Sequence, residues 1–259
     1  MDNQSLVELC VKITGTFENG TPSYDTLTGN ADGCGLSAGI LQWNAGSGTL
    51  QNLLVNIAST LTWETMQTFF KSDIHHFALL KPAEAIQWCK DHYIQDGSTN
   101  IDPAAKACWQ GLLQQQASID AQVAYATNTV LQRAQKFVTG FCPDTPTSTR
   151  AIAFFFDLVT QEGGMGNSKG RVLPLGHGVV PSVTDALNFA QQKDLKTAGM
   201  WEIATQNDPL ASRLLYYAYH RSLLSESQYV WDTFSRKGSI GCKVGIVHGS
   251  LVNFQSILD

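Results

Sequence analysis

The chain has 259 residues, 43% of them hydrophobic and 15% charged, a balance that excludes disordered and fibrous classes. Seventeen basic side chains against 22 acidic ones leave a formal charge of −5. Nothing in that balance suggests a basic face for phosphate backbones, so no nucleic-acid partner is expected.

The start, Met1-Asp2-Asn3-Gln4, has no basic n-region and no apolar run behind it. Residues 5–17 read as a short amphipathic helix, with Leu6, Leu9, Cys10 and Ile13 on one face and Ser5 as its cap. Residues 19–35 are rich in glycine and turn formers. The stretch 36–43 is apolar but interrupted by Ser37, Gly39 and Gln42, and periodicity does not decide between strand and helix. Beyond Gly46-Ser47-Gly48, Thr49 is placed to cap a helix carrying Leu50, Leu53, Leu54 and Ile57. Helical segments follow near 62–71, 82–91 and 103–138, the last long enough to require a break. Residues 151–160 read as a buried central helix, and 163–180 as a long glycine-rich loop. Helices are expected at 182–192, 195–206 and 208–233, the last opened by Asp208 and Pro209. The tail after Gly238 reads as a small packing segment.

No stretch is long and apolar enough to cross a bilayer, so membrane insertion is not expected. Six cysteines occur without a CxxC pair or metal-ligand spacing, and they read as buried free thiols, with disulfides as the alternative. No metal and no cofactor is expected. His75, His76 and His92 read as exposed helix residues. His177 and His248 are weaker candidates for substrate or packing contacts.

The chemistry concentrates in two carboxylates. Glu18 sits just past the first helix, and Asp32 follows in Asn30-Ala31-Asp32-Gly33-Cys34-Gly35. The turn-rich segment between them is long enough to fold back and set the pair across a groove. One protonated carboxyl and one ionised carboxylate are what glycosidic cleavage needs.

Glu18-Asn19 together with the run from Gly29 to Ile40 resembles the active-site region of the family 46 chitosanases, in the lysozyme-like superfamily of glycoside hydrolases. The resemblance implies a mainly α, lysozyme-like α+β fold in one catalytic domain, 1–259. Two helical lobes would flank a substrate groove, with a small β-hairpin near residues 30–45. The minor lobe would span about 30–100, and the major lobe 1–29 and 101–259. It implies an inverting glycoside hydrolase with Glu18 as general acid, Asp32 as general base and Ser37 positioning water. Leu36 stands where the family has an aromatic residue, and Ser37 where it has threonine. Phe154-Phe155-Phe156-Asp157 followed by Gly163-Gly164 extends the likeness. It implies a supporting role for Asp157, paired with an arginine such as Arg213 or Arg221. Asn19, Gln42, Trp43, Asn44 and Glu162 are candidate substrate contacts.

The run Gln42-Trp43-Asn44 looks more like the cell-wall lytic domains of the superfamily, including effectors delivered into rival cells. The expected reaction is therefore muramidase-like cleavage of β-1,4 bonds in peptidoglycan. The alternatives are a chitosanase acting on β-1,4-glucosamine polymers and a non-catalytic glycan-binding module. A glycan polymer is the expected partner, with a cognate immunity or inhibitor protein if the chain is a lytic effector. Delivery to the periplasm or cell wall by a non-classical route is expected, with the cytoplasm as the alternative.

Overall fold

The computed structural model describes residues 1–17, 23–166 and 182–259. The chain forms two compact units, one of Met1–Thr21 with Thr129–Asp259, the other of Pro22–Asn128.

The first unit opens with α1 (Asn3–Thr16), capped by Asp2 rather than Ser5. The Asp2 carboxylate accepts the Ser5 N–H and so satisfies a free helix-end donor. In the second unit, β1 (Leu27–Thr28), β2 (Ser37–Ala38) and β3 (Trp43–Asn44) make an antiparallel sheet in sequence order. The undecided stretch 36–43 is thus strand and turn. The expected hairpin near 30–45 is present, with one more strand beside it. Then come α2 (Thr49–Leu61), α3 (Trp63–Gln67), α4 (Ile74–Leu79), α5 (Pro82–His92), α6 (Pro103–Leu113) and α7 (Gln116–Ala126). Thr49 does not cap α2. Gly48 holds that position in the left-handed region at φ +76°, and the Thr49 hydroxyl accepts from Asn44 N–H instead. A buried aromatic cluster of Phe70, Phe77, Tyr93 and Trp109 fills this unit with edge-to-face contacts.

The long helical stretch 103–138 breaks as its length required. It parts between α6 and α7, then again at a π turn, Thr127–Leu131. The first unit resumes with α8 (Gln132–Phe141), α9 (Thr149–Glu162), α10 (Thr184–Lys193), α11 (Leu195–Gln206) and α12 (Pro209–Ser222). It ends with α13 (Val230–Gly241), β4 (Val244–Val247) and β5 (Ser250–Asn253). The expected helix 208–233 is two helices, because the chain turns through the polar run Ser225-Glu226-Ser227-Gln228. Its start is as expected, with Asp208 accepting from Leu210 and Ala211 N–H. The tail is a second hairpin, β4–β5. Every residue of α9 from Arg150 to Val159 is buried, so this is the central helix. The Asp259 carboxylate caps it, accepting from Arg150 N–H at 2.9 Å and from the Ser148 and Thr149 hydroxyls.

All six cysteines are free thiols. Burial pushes Cys10, Cys89, Cys142 and Cys242 up, Cys89 to about 12 and Cys142 to about 11. Such thiols are inert packing groups. Among the described residues no helix is long and apolar enough to cross a membrane.

Candidate active site

Asp32 lies on an exposed turn of the second unit. Its Oδ1 accepts the Cys34 N–H at 2.9 Å. The turn needs its glycines, since Gly33 and Gly35 both sit near φ +80°. Asn30 Oδ1 accepts the Gly35 N–H at 2.8 Å, and Asn30 N–H donates to Thr99 O at 2.9 Å. On the far side, Gly46 N–H donates to Cys34 O at 2.9 Å. Asp32 is therefore an exposed carboxylate on a loop tied at both ends. Ser37, on β2 opposite Asn44, is buried. Glu18 and Asn19 lie outside the described residues, as does His177.

Three candidate substrate contacts are occupied by the fold of their own turn. Gln42 adopts a left-handed backbone at φ +53°. Its amide donates to Gly39 O at 2.9 Å and Thr26 O at 3.2 Å, and accepts from the Thr28 hydroxyl at 2.6 Å. Trp43 is 6% exposed and packs against Tyr125. The Asn44 side chain accepts the Ser47 N–H at 2.8 Å. Beneath them Gln122, fully buried on α7, accepts the Ile40 N–H and donates to Tyr24 O. Gly39 suits this place, because its backbone is left-handed at φ +81° and a Cβ would lie 2.6 Å from the Gln122 amide oxygen.

The first unit holds a buried ion cluster. Asp157 does not pair with Arg213 or Arg221. Its Oδ1 takes Arg236 at 2.7 Å, and its Oδ2 takes Lys237 Nζ at 2.5 Å. The physical reason is that α13 packs on α9 and carries its Arg-Lys pair into the core. Burial raises the Asp157 carboxyl, but Lys237 and Arg236 together outweigh it and hold the group at about 2. Arg221 instead pairs with Glu162 at 2.9 Å and donates to Gly164 O at 3.0 Å. Arg213 pairs with the exposed Asp144. Glu162 also faces Lys237 at 3.4 Å. A cavity of about 270 Å³ opens here, lined by Gln161, Glu162, Tyr229, Asp232, Arg236 and Lys237 among others. His248, in the β4–β5 turn, contacts the Asp232 carboxylate.

Arg236 also reaches the end of α1. It donates to Thr14 O at 3.2 Å, and its guanidinium lies 4.8 Å from the Phe17 ring centre. The buried charges thus hold the backbone at the helix end that Glu18 follows in sequence. Lys237 has no counterpart in the sequence reading, although an adjacent Arg-Lys amid Phe234, Gly238 and Ile240 was its available signal. His75 stacks on Trp63, and His76 and His92 pack at a tilt against Trp88, all three histidines exposed as expected. Among the described residues no group of three or more His, Cys, Asp or Glu side chains is placed to hold a metal ion.

Solved chitosanases share this architecture. A native chitosanase from Bacillus subtilis MY002 matches 92% of this chain and 87% of its own, with a TM-score of 0.52 and 16% identity. Chitosanase OU01, solved with substrate, matches 95% of this chain and 94% of its own at 0.53 and 13% identity. The Gynuella sunshinyii GH46 chitosanase GsCsn46A, in complex with chitotetraose, matches 93% and 87% at 0.50 and 14% identity. No protein-family model and no curated protein matches the chain. At such identities the likeness is one of fold, and the fold is the lysozyme-like α+β fold of the family 46 chitosanases.

Proposed function

We propose that this chain is a glycoside hydrolase that cleaves β-1,4-linked amino-sugar polymers, with chitosan as its substrate. The observation that carries the reading is a fold shared with chitosanases over 92% or more of the chain. Charge agrees with it. Chitosan is a polycation, and a net −5 chain draws it rather than repels it. In this reading Glu18 protonates the leaving oxygen and Asp32 activates water. Ser37 helps to hold that water, and Asp157 with Arg236 and Lys237 supports the end of α1. An exposed carboxylate on a tied turn suits a base, which must be ionised and aimed.

Peptidoglycan is the second reading. Its sequence support was the run Gln42-Trp43-Asn44, and all three side chains are engaged in local structure. An inhibitor protein belongs to that reading alone.

The test is digestion of purified chitosan and peptidoglycan by wild type, Glu18→Gln and Asp32→Asn, with products read by mass. Wild type is expected to release glucosamine oligomers from chitosan, and each variant to lose this activity about 100-fold or more. Muropeptides without chitosan oligomers would move the substrate to the cell wall. No product from either polymer would sink the hydrolase reading.

A further inference from the structure

We infer that Asn30 is a positioning residue for the candidate base. The inference rests on the reading of Asp32 as the group that activates water, and it adds the part that aims it. Asn30 makes three bonds that bracket Asp32. Its N–H donates to Thr99 O at 2.9 Å. Its carbonyl accepts the Gly33 N–H at 3.4 Å. Its side-chain Oδ1, half-buried, accepts the Gly35 N–H at 2.8 Å. The first bond fastens the loop to a second turn, closed by the bridge between Ile94 and Ile101. The other two close the loop across Asp32.

The anchor is fixed by contact as well. A Cβ on Gly29 would lie 2.0 Å from Thr99 O, so the two backbones meet with no room for a side chain. Asp32 spends one oxygen on its own turn, through the Cys34 N–H. The direction of the other oxygen is therefore set by the turn. That turn contains Gly33 and Gly35, and glycine leaves a backbone soft unless it is tied. Besides the bond to Asp32 itself and the backbone bond from Gly46 N–H to Cys34 O, Asn30 Oδ1 is the side-chain tie on Gly35. Without it the Gly35 N–H loses its acceptor, and the segment 33–35 can turn Asp32 away from the reacting water. General-base catalysis needs the carboxylate within hydrogen-bond reach and aligned. A misplacement of about 1 Å costs about 100-fold in rate.

The experiment measures kcat and KM of wild type, Asn30→Ala, Asn30→Asp and Asp32→Asn on a glucosamine hexamer. It covers the acidic to neutral range, with thermal unfolding of each. Asn30→Ala is expected to lose about 10- to 100-fold in kcat, with KM changed by less than about 3-fold and a folded protein. Asn30→Asp keeps an acceptor for Gly35 and is expected to recover most of kcat at neutral pH. A folded Asn30→Ala with wild-type kcat, beside an inactive Asp32→Asn, would overturn the positioning role and leave the base intact. An active Asp32→Asn, or an inactive wild type, would remove the base and the inference together. If Asn30→Ala does not fold, Asn30→Leu decides, being near in size to asparagine but without an acceptor for the Gly35 N–H, and a folded Asn30→Leu with wild-type kcat overturns the inference.

Discussion

Asp157 contributes a stability whose pH dependence has a definite sign. Burial raises its carboxyl, and Lys237 and Arg236 more than reverse that, to about 2. An unfolded aspartate titrates near ~3.9. The folded value is the lower one, so this stabilisation is complete above about pH 4 and is lost as pH falls towards about 2. Asp157→Asn keeps the shape and leaves Arg236 and Lys237 without their shared anion. It is expected to cost about 3–5 kcal/mol, read by denaturant unfolding at neutral pH, and to remove this component of acid unfolding. A variant as stable as wild type would mean that the cations relax to another partner. The sequence marked Asp157 as buried because its neighbours are apolar, and that is where it sits. It did not identify the partners, since Arg213, Arg221 and Arg236 are alike until helix packing chooses among them. Gln42 is the opposite case. A polar residue in an apolar stretch needs a partner, and here the partners are backbone groups of its own turn.

At the scale of elements, glycine decides how closely α13 approaches its neighbours. A Cβ on Gly238 would sit 2.4 Å from the Trp201 ring, and one on Gly245 2.0 Å from the Ser239 hydroxyl. Trp201 is fully buried, packs edge-on to Phe234 and donates its indole N–H to Val244 O. One side chain thus joins α11 to both α13 and the terminal hairpin. Gly238→Ala is expected to destabilise by about 1–3 kcal/mol through overpacking, seen as a lowered unfolding midpoint. An unchanged midpoint would show that α13 can shift. Helix positions were legible where apolar periodicity and a cap coincided, as at Asp208-Pro209. The break after Ser222 was not, because Leu223 and Leu224 continue the apolar pattern through the turn. The glycine-spaced turn around Asp32 was legible as a motif. The tie from Asn30 was not, because its acceptor role depends on how that turn closes.

For the whole molecule, chitosanase-like architecture and net acidity point the same way. A polycationic substrate should be bound less tightly as salt screens the chain's charge. The most direct measurement is hydrolysis of a glucosamine hexamer by wild type in oxygen-18 water, with products read by mass. Shorter oligomers carrying one heavy oxygen at each new reducing end are the predicted result, and Asp32→Asn should leave the hexamer intact. A folded wild-type protein that leaves the hexamer whole would contradict the account.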